Sequence, residues 1–111
     1  MFRIALPFTI TIATLLTAGT AQAETRVVDL TIKDHRFHPE TVAIPTGEKV
    51  KLRVHNQDAT PEEFESYELN REKIIPGNSK AVIFVGPLQP GEYPFFGEFN
   101  QATAQGRVIS E

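Results

Sequence analysis

The sequence predicts an all-β domain, a Greek-key β-sandwich of about seven short strands. Two observations carry this. Turn-forming residues recur at short intervals: Pro39, Pro45-Thr46-Gly47, Asn56-Gln57-Asp58, Pro76-Gly77-Asn78, Gly86-Pro87 and Pro90-Gly91. The runs between them are rich in β-formers and several alternate apolar with polar residues, while helical periodicity is weak throughout. No internal repeat or low-complexity linker breaks the run, so a single domain is expected.

The elements follow in order. Val28, Leu30 and Ile32 alternate with Asp29, Thr31 and Lys33. Thr41–Ile44 is a short β-rich run closed by Pro45. Val50, Leu52 and Val54 alternate with Lys49, Lys51, Arg53 and His55, which gives one dry face and one wet face. Phe64–Leu69, Ser79–Val85, Gly91–Phe96 and Gly106–Ser110 supply the remaining strands, with antiparallel pairing expected. Two stretches are expected to be loops, Asn56–Phe64 and Gly97–Gln105. In a Greek-key sandwich both can gather at one end and bring distant carboxylates together.

The N-terminus is a different kind of sequence. Arg3 precedes an apolar stretch from Ile4 to about Ala18, followed by Ala21-Gln22-Ala23 and Glu24. This is the pattern of a secretory signal, with Met1–Ala23 removed and Glu24–Glu111 forming the domain. The apolar stretch contains Pro7 and is shorter than the roughly 20 residues that a spanning helix needs. No cysteine follows the expected cleavage site, so neither a membrane span nor a lipid anchor is expected in the mature chain.

Composition narrows the chemistry. The chain has no cysteine, which removes thiolate nucleophiles, redox pairs and cysteine-ligated metals together. A domain this small buries only about 60–65% of its unfolded surface and has no disulfide to compensate. Its stability must come from a tight core, for which six of the chain's eight phenylalanines are available. A net charge of −3 without a basic run gives no support for nucleic-acid binding. No Ser-His-Asp signature, nucleotide loop or H-x-x-E-H pattern indicates a free-standing enzyme.

Glu63 and Glu65 are the first site candidates. Two positions apart on a strand, they share a face, with Phe64 on the other. Side by side they repel unless a cation sits between them; the alternative is a solvated acidic edge. Glu62 points the other way. His35 follows Asp34, which could orient its imidazole as a metal ligand or proton carrier. His38 reads as a turn residue, and His55 falls on a wet face. Arg71 and Lys73 could pair with Glu68 and Glu72 at the surface. Phe95, Phe96 and Phe99 read as core, or as a docking patch where exposed.

The order of several motifs resembles the cupredoxins. Phe37-His38-Pro39 and Val42–Val50 are similar to their F-x-P and V-P-x-G opening. Asn56-Gln57-Asp58 resembles the N-x-D that precedes the first copper histidine, Pro90-Gly91-Glu92-Tyr93 the P-G-x-Y before the metal loop, and Gly106-Arg107-Val108 the closing strand. More narrowly, Pro61–Ser66 with Leu69–Lys73, and Gly91–Phe99, are similar to the EfeO-type group. That resemblance implies a periplasmic protein that binds copper or iron. It would assist ferrous iron oxidation and delivery beside an inner-membrane iron permease and other periplasmic subunits. It also places Glu98 in the metal loop, so the candidate ligands are Glu63, Glu65, Glu98 and His35. Against the blue-copper pattern, the first histidine falls at Glu62 or Glu63, the cysteine at Gly97, the second histidine at Asn100, and the methionine near Ala104 or Gln105. Hard oxygen donors replace soft ones, which suits ferric iron, manganese or calcium better than Cu(I). The competing expectation is a metal-free sandwich that docks through its loop end within a periplasmic complex.

Overall fold

The computed structural model describes residues 3–14 and 24–111. Residues 3–14 form no regular secondary structure, and Ile4, Leu6, Phe8, Ile10 and Ile12 are exposed. The expected cleavage site at Ala21–Ala23 lies outside the described residues. Among the described residues, no helix is long and apolar enough to cross a membrane.

The domain is a β-sandwich of two sheets. The strands are β1 (Arg26–Lys33), β2 (Arg36–His38), β3 (Thr41–Ile44), β4 (Val50–Asn56), β5 (Glu62–Ser66), β6 (Arg71–Ile75), β7 (Ser79–Val85), β8 (Gly91–Gly97) and β9 (Gln105–Ser110). One sheet has the order β2-β1-β4-β7, the other β3-β9-β8-β5-β6. A single 3-10 turn, Glu98–Asn100, follows β8.

Nine strands stand where about seven were expected. The additions are β2, only three residues long, and β6, whose exposed residues show no alternation. The pairing is also not wholly antiparallel. β1 runs parallel to β4, and β3 runs parallel to β9, because each pair is joined through strands of the opposite sheet. The run expected at Phe64–Leu69 lies instead at Glu62–Ser66. Ser66 ends it: its hydroxyl donates to the Pro94 carbonyl at 2.7 Å and accepts the Leu69 N–H at 3.1 Å. That local bond turns the chain out of the ladder. Asn70, with φ +52°, closes the turn into β6.

The alternation of β4 is realised as read: Val50, Leu52 and Val54 are fully buried. They meet Phe37, Phe64 and Phe95, three buried rings contributed by both sheets. Phe64 and Phe95 stack with centroids 4.9 Å apart, and Phe37 meets Phe95 edge-on at the same distance.

Candidate metal centre

The parity of β5 decides what its acids can do. Glu62, Phe64 and Ser66 face the core; Glu63 and Glu65 share the opposite face of the strand, where Glu63 is still buried and Glu65 half-buried. β6 then places Glu72 directly opposite Glu65, an arrangement that repels when both are ionised. Carboxylate oxygens of Glu63, Glu65 and Glu72 all lie within 4.8 Å of one another. Two oxygens on opposite sides of an ion at about 2.1–2.5 Å would be about 4–5 Å apart, so the spacing suits a shared cation. The charge of Glu98, in the turn after β8, also acts on this cluster and raises the proton affinity of Glu63 and Glu65.

The electrostatics reflect this crowding. Glu63 is pushed up to about 7 by a hydrogen bond to Glu72, then by burial and the charges of Glu72, Glu65 and Glu98. Glu65 is also raised, first by burial, then by a hydrogen bond to Glu98 and by the charges of Glu98 and Glu72. Two such carboxyls share a proton because both cannot be ionised at contact. The field extends to Tyr67, whose hydroxyl is raised first by Glu65.

A pH dependence follows. Between the ordinary value of 4.5 and the folded value of about 7, the folded chain binds more protons than the unfolded chain. This contribution to stability is therefore complete below 4.5 and is lost as pH rises through about 7. The thermal midpoint of metal-free protein is expected to fall across that window, and Glu63→Gln is expected to flatten the profile. A wild-type profile as flat as that of the variant would overturn the shared-proton account.

Of the residues singled out in the sequence, Glu63 and Glu65 come together, with Glu72; Glu98 acts on them through its charge but lies outside that group, and so does His35. Asp34 and His35 form the two-residue turn between β1 and β2, with φ of +52° and +56°. The carboxylate of Asp58, not Asp34, organises that turn. It accepts the Asp34 and His35 N–H groups at 2.8 and 3.0 Å, with the His35 ring 3.6 Å away. Glu72 is the member that the sequence reading left as a surface partner for Arg71 or Lys73. The signal was present in the turn-forming Asn70, since a hairpin closing there sets Glu72 across from Glu65. Arg71 instead donates to the carbonyls of Phe84, Leu69 and Asn70.

The expected blue-copper positions surround a carboxylate. Glu62 is 1% exposed and accepts N–H groups from Phe99 and Glu63 and the Asn100 side-chain amide. A Cβ on Gly97 would lie 2.6 Å from the Glu62 Cδ and from the Ala104 Cβ. Sulfur and imidazole donors are absent from these positions and the space is filled, so a blue-copper ion does not fit there.

Fold and site together define a cupredoxin-type sandwich whose loop lacks the soft ligands, with an acidic cluster on its outer face. The family model described as "Cupredoxin-like domain" matches residues 6–110, and the chain belongs to that family. An uncharacterized protein of Rickettsia prowazekii (strain Madrid E) is 50% identical over 82 residues, 74% of this chain. The match covers 66% of that relative, just under two thirds of its length. Among solved structures, auracyanin A, a blue copper protein of Chloroflexus aurantiacus, has 10% identity and a TM-score of 0.68, covering 79% of this chain and 100% of its own. The metal-binding domain of the Cu(I)-exporting P-type ATPase of Streptococcus pneumoniae D39 has 16% identity and a TM-score of 0.69, covering 82% and 92%. At these identities the structures establish the fold alone.

Proposed function

We propose that this chain is a periplasmic cation-binding cupredoxin that holds iron at Glu63, Glu65, Glu72 and Glu98 for delivery to an inner-membrane permease. The convergence of Glu63, Glu65 and Glu72 oxygens within 4.8 Å carries the reading. Hard carboxylate donors favour a hard cation over Cu(I). The raised Glu63 adds a coupling: a cation must displace the shared proton, so binding releases a proton and tightens as pH approaches 7. Export and the permease partner rest on the N-terminal pattern and the EfeO-type resemblance.

The test is thermal stability of the Glu24–Glu111 protein with and without ferric citrate, Mn(II), Ca(II) and Cu(II). At 100 times Kd, linkage adds about 2.7 kcal/mol. For a domain of this size that raises the midpoint by about 10–20 °C. Glu65→Gln is expected to give less than half the wild-type rise and a slightly higher metal-free midpoint at alkaline pH, since one repulsive charge is gone. Equal rises in both proteins would remove Glu65 from the ligand set. No rise with any of the metals would favour the docking module instead. The exposure of Tyr67 (73%) and Phe99 (50%), on the segments that bear Glu65 and Glu98, speaks for that second reading.

A further inference from the structure

Glu62 is a buried acid that the cation cluster does not use. It lies on the inward side of β5, between the sheets, at 1% exposure. A lone carboxylate in such a place is costly unless donors spread its charge. Here Oε1 accepts the Phe99 N–H at 2.9 Å and the Glu63 N–H at 3.0 Å, and Oε2 accepts Asn100 Nδ2 at 2.7 Å. Two of the three donors belong to the 3-10 turn that carries Glu98, and the third is the backbone of Glu63. Gly97 opens the turn and packs against the same carboxylate, leaving no room for a side chain. Ala104, whose carbonyl accepts the Gly97 N–H at 2.9 Å, closes the loop behind it.

We propose that Glu62 and Asn100 form an internal latch that fastens the Gly97–Gln105 loop to β5, and that this latch positions Glu98 beside Glu65 at the outer-face cation site. The carboxylate cross-links strand and loop where a metal ion would otherwise do so. The first half stands on the hydrogen bonds alone; the second rests on the cation-binding reading. Glu62 and Asn100 are thus positioning residues. They touch no cation, and they set the place of one ligand through the backbone of residues 98–100.

Asn100→Ala is the direct test, because it removes one donor and leaves every charge and every candidate ligand intact. The expected results are faster amide hydrogen exchange at Phe99, without change in β4 or β7, and a Kd for Mn(II), read by electron paramagnetic resonance, weaker by about tenfold. The double variant Glu62→Gln with Asn100→Asp reverses donor and acceptor and keeps the total charge. It is expected to restore both readouts to within about twofold of wild type, as a reciprocal pair should. Unchanged exchange at Phe99 in Asn100→Ala would overturn the latch. Faster exchange with an unchanged Mn(II) Kd would leave a staple of the fold and overturn the positioning role. If wild type binds none of ferric iron, Mn(II), Ca(II) and Cu(II), the cation reading and the positioning role fall together, while the exchange measurement still decides the latch; if it binds another of these but not Mn(II), the same Kd comparison is made with that metal.

Discussion

Phe95→Ala is expected to cost about 3–5 kcal/mol, the usual range for emptying a buried phenylalanine site. Phe95 is fully buried and touches both other rings of the aromatic cluster, stacking on Phe64 at 28° and meeting Phe37 edge-on at 88°. The three rings come from β8, β5 and β2, so the cavity would open where the two sheets meet. Gly106 shows how closely the ring is held: a Cβ there would lie 2.4 Å from its edge. Small domains have about 5–15 kcal/mol in total, and this one has no disulfide to hold the chain together. Much of the stability would go in one substitution. Urea unfolding should show a large fall in midpoint with little change in slope. A loss under about 1 kcal/mol would mean that the core closes around the gap or that the cluster is not its centre. Phe95→Leu should lose substantially less, since it refills most of the volume.

Asn56→Ala is expected to cost about 3 kcal/mol through buried hydrogen bonds rather than volume. Asn56 ends β4 and is fully buried. Its Nδ2 donates to the carbonyls of Thr60, Ile75 and Pro76 at 2.9, 3.2 and 3.3 Å. Its Oδ1 accepts the Asp58 N–H at 3.0 Å. One side chain thus ties the lead into β5 to the turn between β6 and β7. Gly77 lies in the same contact, where a Cβ would be 2.1 Å from the Ala59 carbonyl oxygen. Removing the amide strands three carbonyls and one N–H, each costing about 1–3 kcal/mol if left dry. Relaxation and water entry bring the expected total down to the figure above. Asn56→Asp should be no better, because it sets a charge against three carbonyl oxygens. A variant within about 0.5 kcal/mol of wild type would show that this junction is wet and does not organise the loop.

The motif that resembled N-x-D has a physical meaning that its spelling does not reveal. Asn56 is the junction just described. Asp58 holds the Asp34-His35 turn; burial works against its charge, but the two N–H donors and the charges of His35 and Lys33 outweigh it and keep its pKa low. Both residues scaffold the loop end, which the motif does not show because the partners of Asp58 lie 23 and 24 positions away. The phenylalanine run divides in the same way: Phe95 is core, Phe96 is half-buried beside Tyr67, and Phe99 is half-exposed. Neighbouring strand residues face opposite ways, so they could not share one role.

By itself the sequence determined the β-sandwich class, the strands at Thr41–Ile44 and Ser79–Val85, and the dry face of β4. It also determined that Glu63 and Glu65 share a face that Glu62 does not. All of these follow from the two-residue period of a strand, a local property carried by adjacent side chains. The tertiary structure alone decided the parallel pairing of β1 with β4 and of β3 with β9, the strand at Arg71–Ile75 and so the place of Glu72, and the hold of Glu62 on Asn100. These depend on register between segments far apart in the chain. Register is set by how two apolar faces close on one core, and no single stretch of sequence contains it.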